Sequence, residues 1–375
     1  MIPFNKPYLT GKELEYIADA VSAGKISGDG KYTKLSQEFF EKKYGYTKTL
    51  LTTSCTDALE MAALLCNIRL GDEVIAASYT FVSSVNPFVL RGAVIKFCDS
   101  RIDHPGIDES KIEGLINEKT KAIVVTHYAG VAVEMDTVML LAEKYNLWVI
   151  EDAAHSIDSY YKNRPLGSIG HLAAFSFHET KNIIAGEGGM IVINNPSLIE
   201  RAEIIREKGT DRAKFFRGEV DKYSWVDVGS SFLPSEITAA FLYAQLENIE
   251  IIQQKRKDIW NTYYNALSHL QYNEKLKLPV IPSYAKNNGH IFYLITKDGY
   301  QRERLIEFLK ANGILAIFHY VPLHSSSFYS SRYSVQCLPQ AELYATCLVR
   351  LPLFYTLSHE DQHFIIEKVN EFYAG

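Results

Sequence analysis

Two stretches of the chain, VIEDAAHS (residues 149–156) and AAFSFHETKN (residues 173–182), decide how it is expected to fold. In the first, an apolar run ends at Asp152. In the second, an apolar run contains Ser176, and Lys181 lies five residues after that serine. Short, nearly continuous apolar runs are typical of strands that are covered on both faces of a sheet. We therefore predict that Asp152 and Lys181 follow two buried strands.

Similar apolar runs occur elsewhere in the first two thirds of the chain, with amphipathic helical patterns between them. The predicted strands are residues 50–52, Glu73–Ala77, residues 93–97, 122–125, 147–150, 173–177 and 190–193. This alternation predicts an α/β fold, a three-layer αβα arrangement in which a mostly parallel sheet has helices on both faces. Ligands of such a sheet bind beyond the carboxyl ends of its strands, and Asp152 is placed there.

The pattern changes after about residue 235, where a long helical stretch is predicted over residues 235–267. The elements predicted after it are strands at residues 291–296 and 315–319 and helices near residues 302–311 and 360–373. A chain of 375 residues is also long for one compact domain. We expect a large domain at residues 1–245 and a smaller C-terminal α+β domain at residues 246–375.

The composition disfavours several classes of protein. A net charge of −5, with 47% hydrophobic and 22% charged residues, is ordinary for a globular protein and argues against a nucleic-acid binder. No apolar run reaches the roughly 18 residues of a membrane helix, and the N-terminus has no secretory pattern. The five cysteines form no CxxC pair, so we expect reduced thiols, no metal site and a cytoplasmic location.

Lys181 and Asp152 match two requirements of pyridoxal 5'-phosphate (PLP) as a cofactor. PLP needs an amine that forms a Schiff base, a carboxylate beside its pyridine nitrogen and hydrogen-bond donors around its phosphate. The apolar neighbours Ile183 and Ile184 favour a neutral, nucleophilic amine at Lys181. A single loop lysine is usually a solvated surface residue, and a strand-end acid often caps a helix. It is their combination that indicates PLP.

The remaining PLP contacts are predicted at the same edge of the sheet. Cys55 and Thr56 stand where a predicted strand turns into a helix, whose N-terminus presents free N–H groups to a phosphate. Ser176 adds a hydroxyl, Phe81 a ring that stacks on the pyridine, and His155 a partner for the ring hydroxyl. Each of these residues alone is more often structural, as an N-cap, a core aromatic or a satisfied histidine.

The glycine-rich sequence GEGGM (residues 186–190) leads into a predicted strand and not into a helix. We interpret it as a tight turn at which the backbone passes close to the active site. No GxGxxG motif follows a strand, and no Walker sequence occurs. Nicotinamide-dependent oxidoreduction and P-loop chemistry are therefore disfavoured.

Over nearly its whole length, the chain resembles the fold-type I, PLP-dependent sugar-nucleotide aminotransferases. The resemblance lies in ISGDGKYTKLSQEFFEKKYG (residues 26–45), SCTDALEMAA (54–63), SYTFVSSVNPF (78–88), THYAG (126–130), EDAAHS (151–156), FSFHETKNIIAGEGGM (175–190), HYVPLH (319–324) and RLPLF (350–354). It implies a homodimer whose active sites are built at the subunit interface. It also implies small-molecule partners, a dTDP-sugar and an amino donor, for which L-glutamate is expected.

Within the family, the chain is most similar to the subgroup that converts dTDP-4-oxo-6-deoxy-D-glucose into dTDP-4-amino-4,6-dideoxy-D-galactose for enterobacterial common antigen. The subgroup-like stretches are SCT (residues 54–56), HETKN (178–182), REKGTDRAKFFRGEVDKYSW (206–225) and VGSSFLPSE (228–236). This similarity implies transfer of an amino group to the C4 ketone by a ping-pong mechanism. Two neighbouring reactions stay open: amination at C4 that gives the gluco epimer, and amination at C3 of a related sugar nucleotide.

The family pattern also bears on the roles of individual residues. It implies that Lys181 carries the proton as well as forming the Schiff base. Most members have Gly where Cys55 stands, and the Cys55 amide is still expected at the phosphate. Many members have an Asn at the position of Ser231, and that Asn reaches the phosphate in the partner subunit. A serine hydroxyl at this position has a shorter reach.

The sugar-nucleotide site is expected to use Arg212, because arginine suits the geometry of a pyrophosphate. A solvated loop is an equally good interpretation of its GTDRAKFF segment (residues 209–216). His319 and Tyr320 are expected to face the cleft, with His324 a weaker candidate. These histidines lack the spacing and the carboxylate of a metal site, so none is proposed.

Two other functions are compatible with the same fold. A sugar dehydratase that uses pyridoxamine phosphate has a His in place of the Schiff-base lysine, whereas here Lys181 is present and His178 is only a neighbour. A non-catalytic relative is expected to lose Lys181 or Asp152, and this chain keeps both. An active aminotransferase is therefore the preferred interpretation.

Overall fold

The computed structural model describes residues 1–334 and 336–374. Its helices are α1 Glu13–Ser22, α2 Lys31–Tyr44, α3 Cys55–Leu65, α4 Asn86–Leu90, α5 Glu109–Ile112, α6 Met135–Tyr145, α7 Ile199–Arg206, α8 Arg212–Phe216, α9 Glu236–Leu246, α10 Ile249–Tyr272, α11 Gly299–Ala311, α12 Ser327–Ser330, α13 Pro339–Cys347 and α14 His359–Ala374. Its strands are β1 Thr49–Thr52, β2 Glu73–Ala77, β3 Val94–Cys98, β4 Thr120–Thr126, β5 Trp148–Asp152, β6 Tyr160–Tyr161, β7 Arg164–Pro165, β8 Leu172–Ser176, β9 Gly189–Ile193, β10 Ala285–Lys286, β11 Tyr293–Ile295 and β12 Leu348–Arg350. Short 3₁₀ turns lie at Val82–Ser84, Glu113–Leu115, Tyr128–Gly130, Pro196–Leu198 and Leu323–Ser325.

The central sheet has seven strands in the order β1-β9-β8-β5-β4-β2-β3. β9 is antiparallel to both of its neighbours, β1 and β8, and the remaining pairs are parallel. The carboxyl ends of all its other strands therefore lie at one edge of the sheet. Smaller sheets pair β10-β6-β7 and β11-β12.

The predicted α/β architecture is confirmed, and each strand predicted for the central sheet is present. Helices cover both faces, as β4 illustrates. Ala122 and Val124 lie in a core cluster that includes residues of α3. Ile123 and Val125, which point to the opposite face, lie in a cluster that includes residues of α6. Burial on both faces explains why these strands are nearly continuous apolar runs.

The single helix predicted over residues 235–267 is wrong, because the structure has two helices, α9 and α10, there. At the break, Asn248 leaves the helical conformation with φ −110° and ψ 10°. Its side-chain amide donates to the carbonyl of Ala244 at 3.1 Å. An asparagine side chain that bonds the backbone in this way competes with the helix, so α9 and α10 are separate helices.

The strand predicted over residues 315–319 is also wrong. This segment makes only an isolated bridge, between Ile317 and Arg350, and the preceding Ile314 makes another with Ile2. The chain then turns at Tyr320, whose φ is 45°. With one residue pair on each side, the segment has too few partners for a regular ladder.

The C-terminal part has a core of its own, which joins α10, α11 and α14. Leu267, Leu305 and Ile365 belong to this cluster. The beginning of α10 instead packs with the central sheet, because Ile249 and Ile252 share a cluster with residues of β9. The division of the chain at residue 245 stays a prediction. Among the described residues, no helix is long and apolar enough to cross a bilayer.

A close backbone contact joins β9 to the turn before α3. A Cβ added at Gly189 would overlap the backbone of Ser54 and Cys55. One added at Gly188 would meet ordinary contacts, the nearest at 3.4 Å from the Ala185 side chain. The prediction that the GEGGM glycines allow a close backbone approach is confirmed at Gly189, which holds the turn at the start of α3 against the sheet.

This contact predicts different effects for two adjacent substitutions. Gly189→Ala should lower the free energy of unfolding by about 1–3 kcal/mol, because the added methyl group must displace backbone. Gly188→Ala should change it by less than about 0.5 kcal/mol. Urea unfolding of both variants measures the difference, and equal midpoints would show that Gly189 is not closely packed.

Candidate active site

A cavity of about 820 Å³ lies at the carboxyl edge of the central sheet. The predicted site residues that line it are Cys55, Thr56, Phe81, Asp152, His155, Ser176, Lys181, His319 and Tyr320. They come from the start of α3, from the loops that follow β2 and β5, from β8 and the turn after it, and from the segment before the Leu323–Ser325 turn. The fold therefore brings together residues that are far apart in sequence.

Two predicted residues lie outside this cavity of their own chain. Arg212 begins α8, where its Nη1 is 4.0 Å from Oε2 of Glu207 and its guanidinium lies over the ring of Phe216. Ser231 is exposed, and its backbone forms a bridge with Glu207. The weaker candidate His324 is buried and shares a 2.7 Å hydrogen bond with the Ser78 hydroxyl. His324 is therefore structural.

Lys181 lies in the turn after β8, where its backbone N–H donates to the carbonyl of His178 at 2.9 Å. Burial lowers the pKa of the Lys181 amine to about 8, and the charge of Arg350 adds to this effect, whereas Cys55 and Asp152 oppose it. An ordinary lysine has a pKa near 10.4. At neutral to mildly alkaline pH, Lys181 therefore offers far more of the neutral, nucleophilic amine than a surface lysine does.

Asp152 is held in place by hydroxyl and amide donors. Its Oδ2 accepts from the Ser84 hydroxyl, and its Oδ1 accepts from the Ala154 N–H at 3.1 Å. Ser84 is in turn bonded to Thr80 at 2.7 Å, and Thr80 lies 3.0 Å from the Thr126 hydroxyl. This chain of hydroxyls fixes the carboxylate so that it faces the cavity. The sequence prediction missed it, although three of its hydroxyls stand in SYTFVSS and THYAG.

The N-terminus of α3 faces the same cavity. Ser54 is its N-cap, and the Ser54 hydroxyl accepts from the Asp57 N–H at 3.0 Å. The amides of Cys55 and Thr56 belong to the first turn, so no helical carbonyl can accept from them. Burial and the charge of Asp152 raise the pKa of the Cys55 thiol, which keeps this residue neutral beside a bound anion.

Two histidines of the cavity, His155 and His319, have lowered pKa values that favour the neutral ring. Burial lowers the pKa of both His155 and His319 well below the ordinary value, and nearby cations lower it further. Nδ1 of His155 accepts from the Ala129 N–H at 3.3 Å, so the proton of the ring is on Nε2, which is 3.4 Å from the Tyr320 hydroxyl. Nδ1 of His319 lies 2.6 Å from the Tyr128 hydroxyl. His155 therefore presents an N–H donor to the cavity.

Arg350 and Phe4 also line the cavity, and the sequence prediction missed both. The Arg350 guanidinium lies over the Phe4 ring, with its Cζ 4.5 Å from the centroid. RLPLF was noticed as part of the family pattern, but a single arginine after a short apolar run gives no sign of facing a cavity. For Phe4, the N-terminal position gave no signal.

The residues of this cavity fit PLP. Lys181 supplies an amine with a lowered pKa, Asp152 an anchored carboxylate, and the start of α3 a set of free amides, and the Ser176 hydroxyl lines the same cavity. Phe81 is 56% exposed at the cavity wall, as a ring that stacks on a ligand would be. Each requirement of the cofactor is met by a different element of the same sheet edge.

Comparison with known proteins identifies the family of the chain. The model of the DegT/DnrJ/EryC1/StrS aminotransferase family matches residues 7–370. The chain belongs to this family. It is 32% identical over 377 residues to the uncharacterised protein MJ1066 of Methanocaldococcus jannaschii, a match that covers 98% of this chain and 96% of that protein.

Solved structures are similar over the whole chain. Helicobacter pylori PseC, an aminotransferase involved in pseudaminic acid biosynthesis, is 27% identical with a TM-score of 0.90, over 100% of this chain and 99% of that one. The Streptococcus pneumoniae protein Spr1654 in its PMP form is 25% identical with a TM-score of 0.92, over 100% and 99%. This protein is a PLP-dependent sugar aminotransferase with the fold-type I architecture.

The lowered pKa of Lys181 predicts how the apo form of this aminotransferase takes up its cofactor. The rate of PLP loading should rise with pH through about 8 and then level off, because the neutral amine is the reactive form. Stopped-flow absorbance after mixing apoprotein with PLP measures this rate, with Lys181→Ala as the control that forms no covalent adduct. A rate that still rises steeply above about pH 10, as for an ordinary lysine, would contradict the assignment.

Proposed function

We propose that this sugar aminotransferase moves an amino group from L-glutamate to the C4 ketone of dTDP-4-oxo-6-deoxy-D-glucose, giving dTDP-4-amino-4,6-dideoxy-D-galactose. The observation that carries the proposed chemistry is that the Lys181 amine, with its lowered pKa, and the anchored Asp152 carboxylate line one cavity. The substrate rests on the subgroup-like stretches, above all residues 206–225 and 228–236. The cavity of about 820 Å³ is wide enough for a cofactor and a sugar together.

In the first half of the proposed reaction, Nζ of Lys181 takes a proton from the α-carbon of glutamate. PLP, when bound, supplies the electron sink for that carbon and keeps the amino group for the second half. Asp152, which Ser84 and Ala154 hold in place, would bind the pyridine nitrogen, and His155 would donate from Nε2 to the ring hydroxyl. Glutamate leaves as 2-oxoglutarate.

The second half runs the same steps in reverse on the sugar nucleotide. Nζ of Lys181 delivers a proton to C4 of the sugar. This proton transfer is general acid catalysis by a positioned amine. The face from which Lys181 reaches C4 decides between the galacto product, with an axial amine, and the gluco epimer. Because one site serves both substrates in turn, ping-pong kinetics are expected. His319 and Tyr320, which line the cavity, are the proposed contacts of the sugar.

The proposed pathway is synthesis of a surface polysaccharide, enterobacterial common antigen, in the cytoplasm. It is supported by the subgroup resemblance in SCT (residues 54–56) and HETKN (178–182), where the phosphate turn and the Schiff-base lysine lie. The alternative reactions, formation of the gluco epimer and amination at C3, use the same chemistry.

Product analysis tests the proposed reaction. Purified protein with PLP, L-glutamate and dTDP-4-oxo-6-deoxy-D-glucose should give an axial C4 amine by NMR and an equal amount of 2-oxoglutarate. Lys181→Ala is the control and should form no product. An equatorial C4 amine would show that the product is the gluco epimer and not the galacto compound. No amination of this sugar by protein that has bound PLP would reject the proposed substrate.

We also propose that the enzyme is a homodimer that shares its active sites. The segment before Ser231 exposes apolar side chains that a monomer would leave in water. They are Phe216 at 71%, Tyr223 at 52%, Trp225 at 80%, Val226 at 51% and Val228 at 55% exposure. Contiguous apolar exposure of this kind marks an interface. A partner that covers this segment would bring Ser231 to the phosphate end of its cavity and Arg212 to the sugar nucleotide.

A mixing experiment tests whether Ser231 acts in the partner's site. Lys181→Ala and Ser231→Trp homodimers should each be inactive, the second because the bulky ring blocks the phosphate position. After subunit exchange, hybrids contain one site with both native residues, so activity should return to at most about a quarter of wild type. If Ser231→Trp is inactive and no activity returns after verified exchange, Ser231 acts within its own subunit.

A further inference from the structure

His290 is a buried histidine in the wall of the main cavity. It lies between β10 and β11 and is 5% exposed. Both polar groups of its backbone are bonded to buried side chains. Its N–H donates to Oδ1 of Asn288 at 3.1 Å, and its carbonyl accepts from Nη2 of Arg256 at 2.9 Å. These two bonds fix the place from which the His290 ring reaches the cofactor site.

The Nδ1 atom of His290 contacts Asn182, the residue that follows Lys181. The distance from Nδ1 to Oδ1 of Asn182 is 2.8 Å. The Asn182 amide nitrogen donates to Oε1 of Gln253 at 2.8 Å and to the Asn288 carbonyl at 3.1 Å. Because these two acceptors fix the orientation of the amide, its Oδ1 is the acceptor for His290. Nδ1 of His290 therefore carries a proton and donates it to the turn of the Schiff-base lysine.

The ring of His290 also packs on the ring of His155. Their centroids are 4.5 Å apart and their planes are inclined by 36°. Asn288 adds a second link, because its amide nitrogen donates to the His155 carbonyl at 2.8 Å. Residues 288–290 therefore hold both the backbone and the ring of His155, whose Nε2–H is the donor that the cavity offers to a ring hydroxyl.

His290 makes these contacts as a neutral ring. Burial lowers its pKa well below the ordinary value. The charges that lower it further are those of His155, Lys181, Arg256 and Arg350. A neutral imidazole has one N–H, and here that N–H is already used at Nδ1. What His290 contributes to the site is therefore the position of its neighbours and not a charge.

We infer that His290 is a positioning residue, which orients His155 through its ring and holds the turn of Lys181 through its Nδ1–H. This inference rests on the roles proposed for His155 and Lys181, but not on the identity of the sugar. Substitutions can remove the two contacts separately. His290→Asn keeps a donor near the place of Nδ1 and loses the ring, whereas His290→Phe keeps a ring and loses the donor.

The rate of cofactor loading tests the contact with the lysine turn. Apoprotein is mixed with PLP, and the lysine-bound cofactor is followed by stopped-flow absorbance. His290→Phe leaves the buried Oδ1 of Asn182 without its donor, so loading should slow at least about tenfold. His290→Asn should stay within about twofold of wild type. A wild-type rate in His290→Phe would overturn this part of the inference.

The spectrum of the lysine-bound cofactor tests the contact with His155. A hydrogen bond to the ring hydroxyl favours its ionised form, so the pH at which the absorbance changes depends on that bond. His155→Asn removes the Nε2 donor and defines the full shift of this pH. His290→Asn should shift it in the same direction, and His290→Phe should leave it unchanged. In the double variant, His290→Asn should add nothing to His155→Asn, because the two act through one contact.

Full additivity in the double variant would overturn the proposed action through His155. If His155→Asn alone leaves the titration unchanged, the role proposed for His155 fails, and the loading rate then decides the inference for Lys181. If His290→Phe gives no folded protein, the titration of His290→Asn decides.

His104→Asn is the matched control. His104 is a 1% exposed histidine whose Nδ1 accepts from the Gly106 N–H at 3.0 Å, and it does not line the cavity. Its variant should load PLP within about twofold of the wild-type rate and keep the wild-type titration, whatever its melting temperature. Slow loading equal to that of His290→Phe would show a general effect of removing a buried histidine and would overturn the inference.

Discussion

The parallel pairing of β5 with β8 fixes where the acid and the amine of this enzyme can stand. Asp152 is opposite Ala174 in that register, so β8 continues for two residues to Ser176 and then turns through Lys181. A slip of one residue would turn the site-facing side chains into the sheet's other face. Burial on both faces of these strands makes such a slip costly, and the geometry of the site is set by the packing of the sheet.

Burial also determines the charge of each group in the cavity. It lowers the pKa of the Lys181 amine and of the His155 and His319 rings, which favours their neutral forms. It raises the pKa of the Cys55 thiol, which keeps that thiol protonated. The Asp152 carboxylate accepts hydrogen bonds from the Ser84 hydroxyl and the Ala154 N–H. The cavity thus contains an anchored carboxylate, a weakly basic amine and an arginine, an arrangement suited to a cofactor and substrates that bring negative charge with them.

Much of this could be predicted from the sequence, because the signals were local. Apolar runs placed the strands of the central sheet, and strand-end chemistry pointed to Asp152 and Lys181. Features that depend on long-range contacts were missed. The hydroxyl of Ser84 matters only because β2 and β5 both end at one edge, and Arg350 only because β12 delivers it to the cavity. The helix break at Asn248 was missed because its side chain bonds the backbone there, which the apolar periodicity does not reveal.

The antiparallel strand β9 has a consequence for how the protein is made. β1 has β9 as its partner in the central sheet, through residues 49–52 and 189–193, and Gly189 packs on the turn that begins α3. During synthesis, β1 emerges early but has no neighbour until residue 193 has left the ribosome. The phosphate end of the cofactor site therefore forms late, and the wall of the cavity is complete only when β12 brings Arg350 to it.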